Sequence, residues 1–151
     1  MTRINLIPVE NLTRQHLIAE YRELPHVYRH VLRAQERGET RESVRARAPA
    51  EFRFGKGSIL FFCDKIIWLN RRYAMLVAEM LKRGYQVNFP EPPWDRINQL
   101  RDEWLNDWTP SEAEIAHSLE RIEDRVANPM ALRRKRKKEA GEKIRKNEWD
   151  F

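Results

Sequence analysis

Between Asp64 and Gly84, apolar side chains fall at three- and four-residue steps (Ile66, Leu69, Tyr73, Leu76, Val77, Met80), and the run ends at a glycine. A repeat near 3.6 residues lays one stripe along a helix and cannot alternate across a strand. It predicts a helix over 64–83, with Gly84 at the C′ position where a left-handed residue is needed. The same period runs from Leu12 to about Gln35 through Leu17, Tyr21, Leu24, Tyr28 and Val31, behind Asn11 as N-cap. Pro25 should kink that helix near Tyr21–Leu24, because it lacks an N–H and crowds the preceding turn.

A third long helix is expected to start at Thr109-Pro110-Ser111-Glu112, read as a cap, a proline at N1 and a capping-box glutamate. Ala116, Leu119, Ile122 and Val126 would face inward, and Asn128-Pro129 would end it. A short helix around 95–105 presents Ile97, Leu100 and Trp104. Residues 38–57 read as a long basic loop, in which Gly55-Lys56-Gly57 is a turn without the spacing of a phosphate-binding loop. Only Ile59–Phe62 competes as a strand. The expected fold is therefore all-α: one compact domain of three main helices over 1–128, with irregular loops and a basic extension over 129–151.

Charge supports that division. The 151-residue chain carries a formal net charge of +6. Residues 133–146 hold nine Lys/Arg against Glu139 and Glu142, a local +7, which leaves the rest of the chain at −1. The extension is thus either a solvated helix or an interaction arm, and the body is near neutral. Cys63 is the lone cysteine, so no internal disulfide can form. Within ILFFC it reads as a buried, inert thiol in a reducing compartment. No apolar run reaches the roughly 20 residues of a membrane span, and Pro8, Glu10 and Asn11 fall where a signal peptide would be apolar. The expectation is an intracellular protein without a membrane partner.

On the polar side of the first helix Gln15, Arg22, His26, Arg29 and Arg33 recur at helical spacing, flanked by His16, Glu23 and His30. A cationic stripe suits a phosphate backbone, although an ordinary solvated face has the same composition. Glu23 among these cations stays ionised, either as a structural ion pair or as a functional carboxylate. At the chain start, removal of Met1 before the small Thr2 would leave a free α-amine. Its pKa, about 7.7–8.0 against about 10.4 for lysine, makes it neutral and nucleophilic on the order of a few hundred times more often at neutral pH. His26 and His30 are four apart, but no acidic or cysteine ligands complete a metal set, so no metal is expected. Serine-triad, HExxH and dinucleotide signatures are absent from the sequence.

The blocks MTRINL, QHLIAEYRELPHV, FFCDK, EMLKRGY and WTPSEAEIA, in that order, resemble the phage endonuclease V-type family. These are pyrimidine-dimer DNA glycosylases with an associated abasic-site lyase activity, and the similarity runs from residue 1 to about 128. The resemblance implies an all-α domain whose N-terminal segment threads between the helices. It assigns catalysis to Thr2, whose nitrogen would attack the deoxyribose C1′ of the 5′ pyrimidine of a UV-induced cyclobutane dimer. Glu23 would stabilise the sugar cation and promote β-elimination. No cofactor is implied. The implied partner is UV-damaged double-stranded DNA, bound by a monomer that bends the duplex and flips out the base opposite the lesion. The implied setting is cytoplasmic and DNA-associated, in a bacterial or viral system.

Arg3, Gln15, His16, Arg22 and position 26 match DNA-holding positions of the family, as do Arg121 and Arg125, four apart on the third helix. Arg33 joins them from the cationic stripe. Two departures stand out. His26 replaces an arginine of the family, a titratable charge for a permanent one, so DNA binding is expected to weaken above pH 7. The family's aromatic-rich C-terminal segment is replaced by MALRRKRKK, expected to raise non-specific DNA affinity. That leaves two alternatives: the same mechanism on another damaged base or on abasic sites alone, or a non-catalytic helical DNA-binding module.

Overall fold

A computed structural model describes residues 4–127, and their side chains as far as Glu123. Among these residues every regular element is helical. After a 3₁₀ turn at Val9–Asn11, the chain forms α1 (Arg14–Glu23), α2 (Pro25–Glu36), α3 (Arg41–Arg45), α4 (Ser58–Phe62), α5 (Ile66–Lys82) and α6 (Trp94–Ile97). A second 3₁₀ turn at Asp102–Trp104 precedes α7 (Glu112–Ala127). The all-α expectation holds, with three long units: the α1–α2 pair, α5 and α7.

The first unit is broken rather than merely kinked. Pro25 stands at N1 of α2, where its missing N–H would have been unpaired anyway, and Leu24 between the helices keeps right-handed helical angles. The cap of α1 is Thr13, not Asn11: its side chain accepts from the His16 N–H. Asn11 instead closes the 3₁₀ turn, its N–H donating to the Pro8 carbonyl at 3.0 Å. Leu17, Leu24, Tyr28 and Val31 are buried as the period requires.

α5 forms as expected and buries all six residues of its stripe. Gly84 takes φ +81°, its N–H donates to the Leu81 carbonyl and the Tyr85 N–H reaches the Met80 carbonyl, the Schellman pattern. The weak strand alternative does not form, and two other expectations, the loop over 38–57 and the single helix around 95–105, are corrected. Ile59–Phe62 lies in a helix, started by Gly57 at φ +88° and fixed by the apolar partners of Phe61 and Phe62, not by strand propensity. The long loop contains α3, which Thr40 and Ser43 cap reciprocally. The segment 95–105 is two short pieces rather than one helix, yet Ile97, Leu100 and Trp104 are all buried.

At α7 the capping box is Ser111 with Glu114, two positions later than the sequence suggested: each backbone N–H is satisfied by the other's side chain. Glu114 is held there by a second duty, since its Oε2 also accepts from the Phe52 N–H. The helix is thereby rotated. Glu114, Ser118 and Ile122 face inward, while Ala116 and Leu119 are exposed. The Val126 side chain, the expected stop at Asn128-Pro129 and the basic extension lie outside the described residues.

The core is rich in aromatic rings. Phe52, Phe61, Phe62, Trp68 and Trp108 meet at centroid distances of 5.1–6.3 Å. Cys63 is 1% exposed, and burial pushes its thiol up to about 12, as expected of an inert cysteine. Burial raises the neighbouring Asp64 carboxyl, but hydrogen bonds and charge from Lys65 and Arg41 outweigh this and hold it below the usual range.

Candidate active site

The N-terminal segment is pinned by three separate elements. The Asn5 N–H and its side-chain amide both donate to Glu20 Oε1 at 3.0 Å. The Leu6 N–H donates to Ser118 Oγ on α7, and the Ile7 carbonyl accepts from Arg72 Nη1 at 2.7 Å. Arg72 closes the arrangement: its guanidinium grips the Glu20 carboxylate with Nε on Oε2 at 2.6 Å and Nη2 on Oε1 at 3.0 Å. Both charged side chains are buried, at 4% and 0% exposure. A bidentate pair with added backbone partners is the form in which a buried ion pair tolerates loss of water. Ile4, Leu6 and Ile7 add apolar burial, so residues 4–7 run through the core rather than over it.

One helical turn beyond Glu20 lies Glu23, also buried, at 4% exposure. Between them in sequence, Arg22 is exposed and faces outward. Arg22, His26 and Arg29 line a cleft of about 680 Å³, joined by Tyr21 and by Phe89, Glu91 and Arg96 from the 88–96 segment. A second cleft of about 380 Å³ shares Tyr21, Arg22 and Asn88 with the first and adds Arg14. The two clefts make one continuous face along α1 and the start of α2. Arg14 also lies over the Tyr85 ring at 5.4 Å.

Tyr21 and Tyr73 shape the floor of this face. Their rings stack with centroids 5.7 Å apart, and both hydroxyls converge on Phe89. Tyr73 donates to the Phe89 carbonyl at 2.5 Å, and Tyr21 accepts from the Phe89 N–H at 3.0 Å. Burial drives the Tyr73 phenol far above its ordinary range, so it remains a donor at any physiological pH.

The sequence-expected residues separate into groups. Arg22 and His26 come together in the main cleft, and Glu23 is buried beside them without lining either cleft. Gln15 and Arg33 are exposed on α1 and α2, outside both clefts. His16 belongs to the α1 cap, its Nδ1 lying 2.6 Å from Thr13 Oγ1. Arg121 packs its guanidinium 4.6 Å from the Phe54 ring centroid, away from the clefts. Thr2, Arg3 and the Arg125 side chain lie outside the described residues. Sequence reading passed over Arg14, Tyr21 and Phe89, and took Arg29 only as part of the stripe. The one signal for Phe89 was its place at the head of the chain-breaking stretch FPEPP, residues 89–93. Among the described residues no three His, Cys, Asp or Glu side chains group as a metal site would need, and no helix is long and apolar enough to cross a membrane.

The family model for pyrimidine dimer DNA glycosylase matches residues 1–91, which hold the N-terminal segment, both glutamates and α5. The chain belongs to the pyrimidine dimer DNA glycosylase family. It is accordingly a DNA repair glycosylase with DNA as its substrate. The match ends before the WTPSEAEIA block, so α7 lies beyond the matched stretch. The two clefts together carry Arg14, Arg22, His26 and Arg29, a cationic face along α1 and the start of α2.

Proposed function

We propose that the chain excises the 5′ pyrimidine of cyclobutane dimers through an imine on the Thr2 amine and then cleaves the strand as a lyase. The Thr2 nitrogen attacks C1′, the N-glycosidic bond breaks, and the base leaves with the bonding electrons. Opening of the deoxyribose ring completes the imine. Loss of a C2′ proton then expels the 3′ phosphate by β-elimination, and water releases the sugar fragment from the amine. Glu23 opposes the positive charge that develops on the sugar and takes part in the proton transfers.

The observation that carries this reading is the tie between Asn5 and Glu20. Three residues of chain span at most about 10 Å. Glu23 is one turn past Glu20, about 4.5 Å along the helix axis. An amine on residue 2 therefore has the buried Glu23 carboxylate within its range. Arg3 and Gln15 would contact DNA near the amine, Arg22, His26 and Arg33 along α1–α2, and Arg121 and Arg125 from α7. His16, engaged in its cap, would act on DNA through the position of the helix start.

Borohydride trapping on two duplexes, one with a site-specific thymine dimer and one with an abasic site, tests the reading. The expected result is an adduct on both, mapped to Thr2 and lost in Thr2→Pro. Glu23→Gln should abolish dimer excision while leaving DNA affinity within about threefold. Trapping on the abasic duplex alone would leave a lyase acting on another lesion, and no adduct on either would overturn the imine mechanism.

A further inference from the structure

α7 buries one side and leaves the other uncovered by the described residues. Glu114, Ser118 and Ile122 face inward, whereas Ile115, Ala116 and Leu119 are exposed, Leu119 at 41%. At about 100° per residue, Leu119 shares the outer arc of the helix with Glu112, Glu120 and Glu123, all exposed. None of these three glutamates enters an ion pair among the described residues. Arg121 is drawn off this face onto the Phe54 ring, 4.6 Å from its centroid. Solvated acids, or a pair of exposed apolar residues, are each ordinary on a helix. Side by side they fit one kind of occupant, a cationic segment with a few apolar side chains, and this chain contains such a segment. Directly after α7, Met130 and Leu132 precede residues 133–138, which are six successive cations.

We propose that residues 129–138 dock on the outer face of α7 and that DNA displaces them. The cations lie against Glu112, Glu120 and Glu123, and the apolar pair against Ile115 and Leu119. The segment is within reach. α7 has 16 residues and is therefore about 24 Å long, whereas the chain from 128 to 138 spans up to about 36 Å when extended. So short a tether holds the segment at a high effective concentration, and pairs that are weak singly then act together. Charge selects α7 over the other exposed apolar face. On α5, Ile67, Met75 and Leu81 are exposed, but Arg71 and Lys82 share their arc, and Asp107 offsets only Arg71. A DNA backbone is a denser row of negative charge than three glutamates and competes for the same cations. Docking thus holds back an arm that would otherwise grip undamaged DNA, and releases it where a duplex is already bound. The proposal rests on DNA as the substrate and not on imine chemistry at Thr2.

Carbodiimide cross-linking of the dilute full chain joins carboxylates to lysine amines only where they touch. It should link Glu120 or Glu123 to Lys135, Lys137 or Lys138 within one chain. The link should vanish in about 1 M salt, where charges are screened within about 3 Å, and on adding excess undamaged duplex. Leu119→Ser should lower its yield severalfold, and Ile67→Ser on α5 should not. Affinity for the undamaged duplex then separates docking from plain repulsion. Glu120→Gln together with Glu123→Gln should tighten binding about fivefold in the parent chain, and by less than about 1.5-fold where residues 133–138 are all glutamine. Both glutamates are exposed, so the fold is kept. An equal gain in both backgrounds would mean that the glutamates repel DNA directly, and would overturn the proposal. So would an absence of links, or links found only between chains, which would seat the segment on a second copy.

Discussion

Arg72 is the residue on which the N-terminal segment depends most. It neutralises the buried Glu20 and at the same time holds the Ile7 carbonyl. Arg72→Met would leave Glu20 charged and buried, and the expected cost is about 3–5 kcal/mol in denaturant unfolding. Adding Glu20→Leu should recover part of that loss. Recovery would be incomplete, because the Asn5 N–H and the Ile7 carbonyl then lose their partners as well. Asp64 gives a second expectation, with a defined sign in pH. Its folded carboxyl titrates below the unfolded value, so its stabilisation is present above the unfolded pKa and fades as pH falls through the folded one. Asp64→Asn should therefore destabilise the protein at pH 6, by about 1–3 kcal/mol as a hydrogen-bonded charge. The gap between variant and parent should close as unfolding is measured progressively below pH 4.

At the scale of elements, two glycines with similar backbone angles are predicted to differ in cost. Gly84, at φ +81°, has open space where a Cβ would go, so Gly84→Ala should cost about 1 kcal/mol of backbone strain alone. At Gly57, φ +88°, a Cβ would lie 3.1 Å from Pro49 Cδ, so Gly57→Ala should lower the melting temperature further. The long helices were legible in the sequence because their period is local: Leu17, Leu24, Tyr28 and Val31, and the whole α5 stripe, are buried as expected. Their starts were less legible. Asn11 and Thr13, or Thr109 and Ser111, are nearly equal as caps in isolation. The choice falls to distant partners, such as Phe52 holding Glu114. Ile59–Phe62 became helical for the same reason, since its apolar residues suit either structure until the aromatic core fixes one. Burial of Glu23 could not be read from its neighbours, because the contacts that build the site join Asn5 to Glu20 and Glu20 to Arg72, across 15 and 52 positions.

The molecule as a whole is organised so that residues 4–7 are part of its interior. α5 and its C-cap supply the means: Arg72, inside the helix, binds the Ile7 carbonyl, and Arg83, the cap, reaches the carbonyls of Val9, Glu10 and Leu12. α1 and α7 close the other sides through Glu20 and Ser118. Chain ends ordinarily fray, exchanging their amide protons through openings that cost almost nothing. Here the Asn5 and Leu6 amides can be released only by parting α1 from α5 or lifting α7. In native-state hydrogen exchange they should be as slow as amides in the middle of α5, and their opening free energy should fall in step with global stability as denaturant is added. Faster exchange by two orders of magnitude would mean that the segment detaches on its own. If the rates do coincide, the protein has no partly folded form in which the helices stand and the threaded segment is loose, so a newly made chain acquires its helices and its threaded segment in a single event.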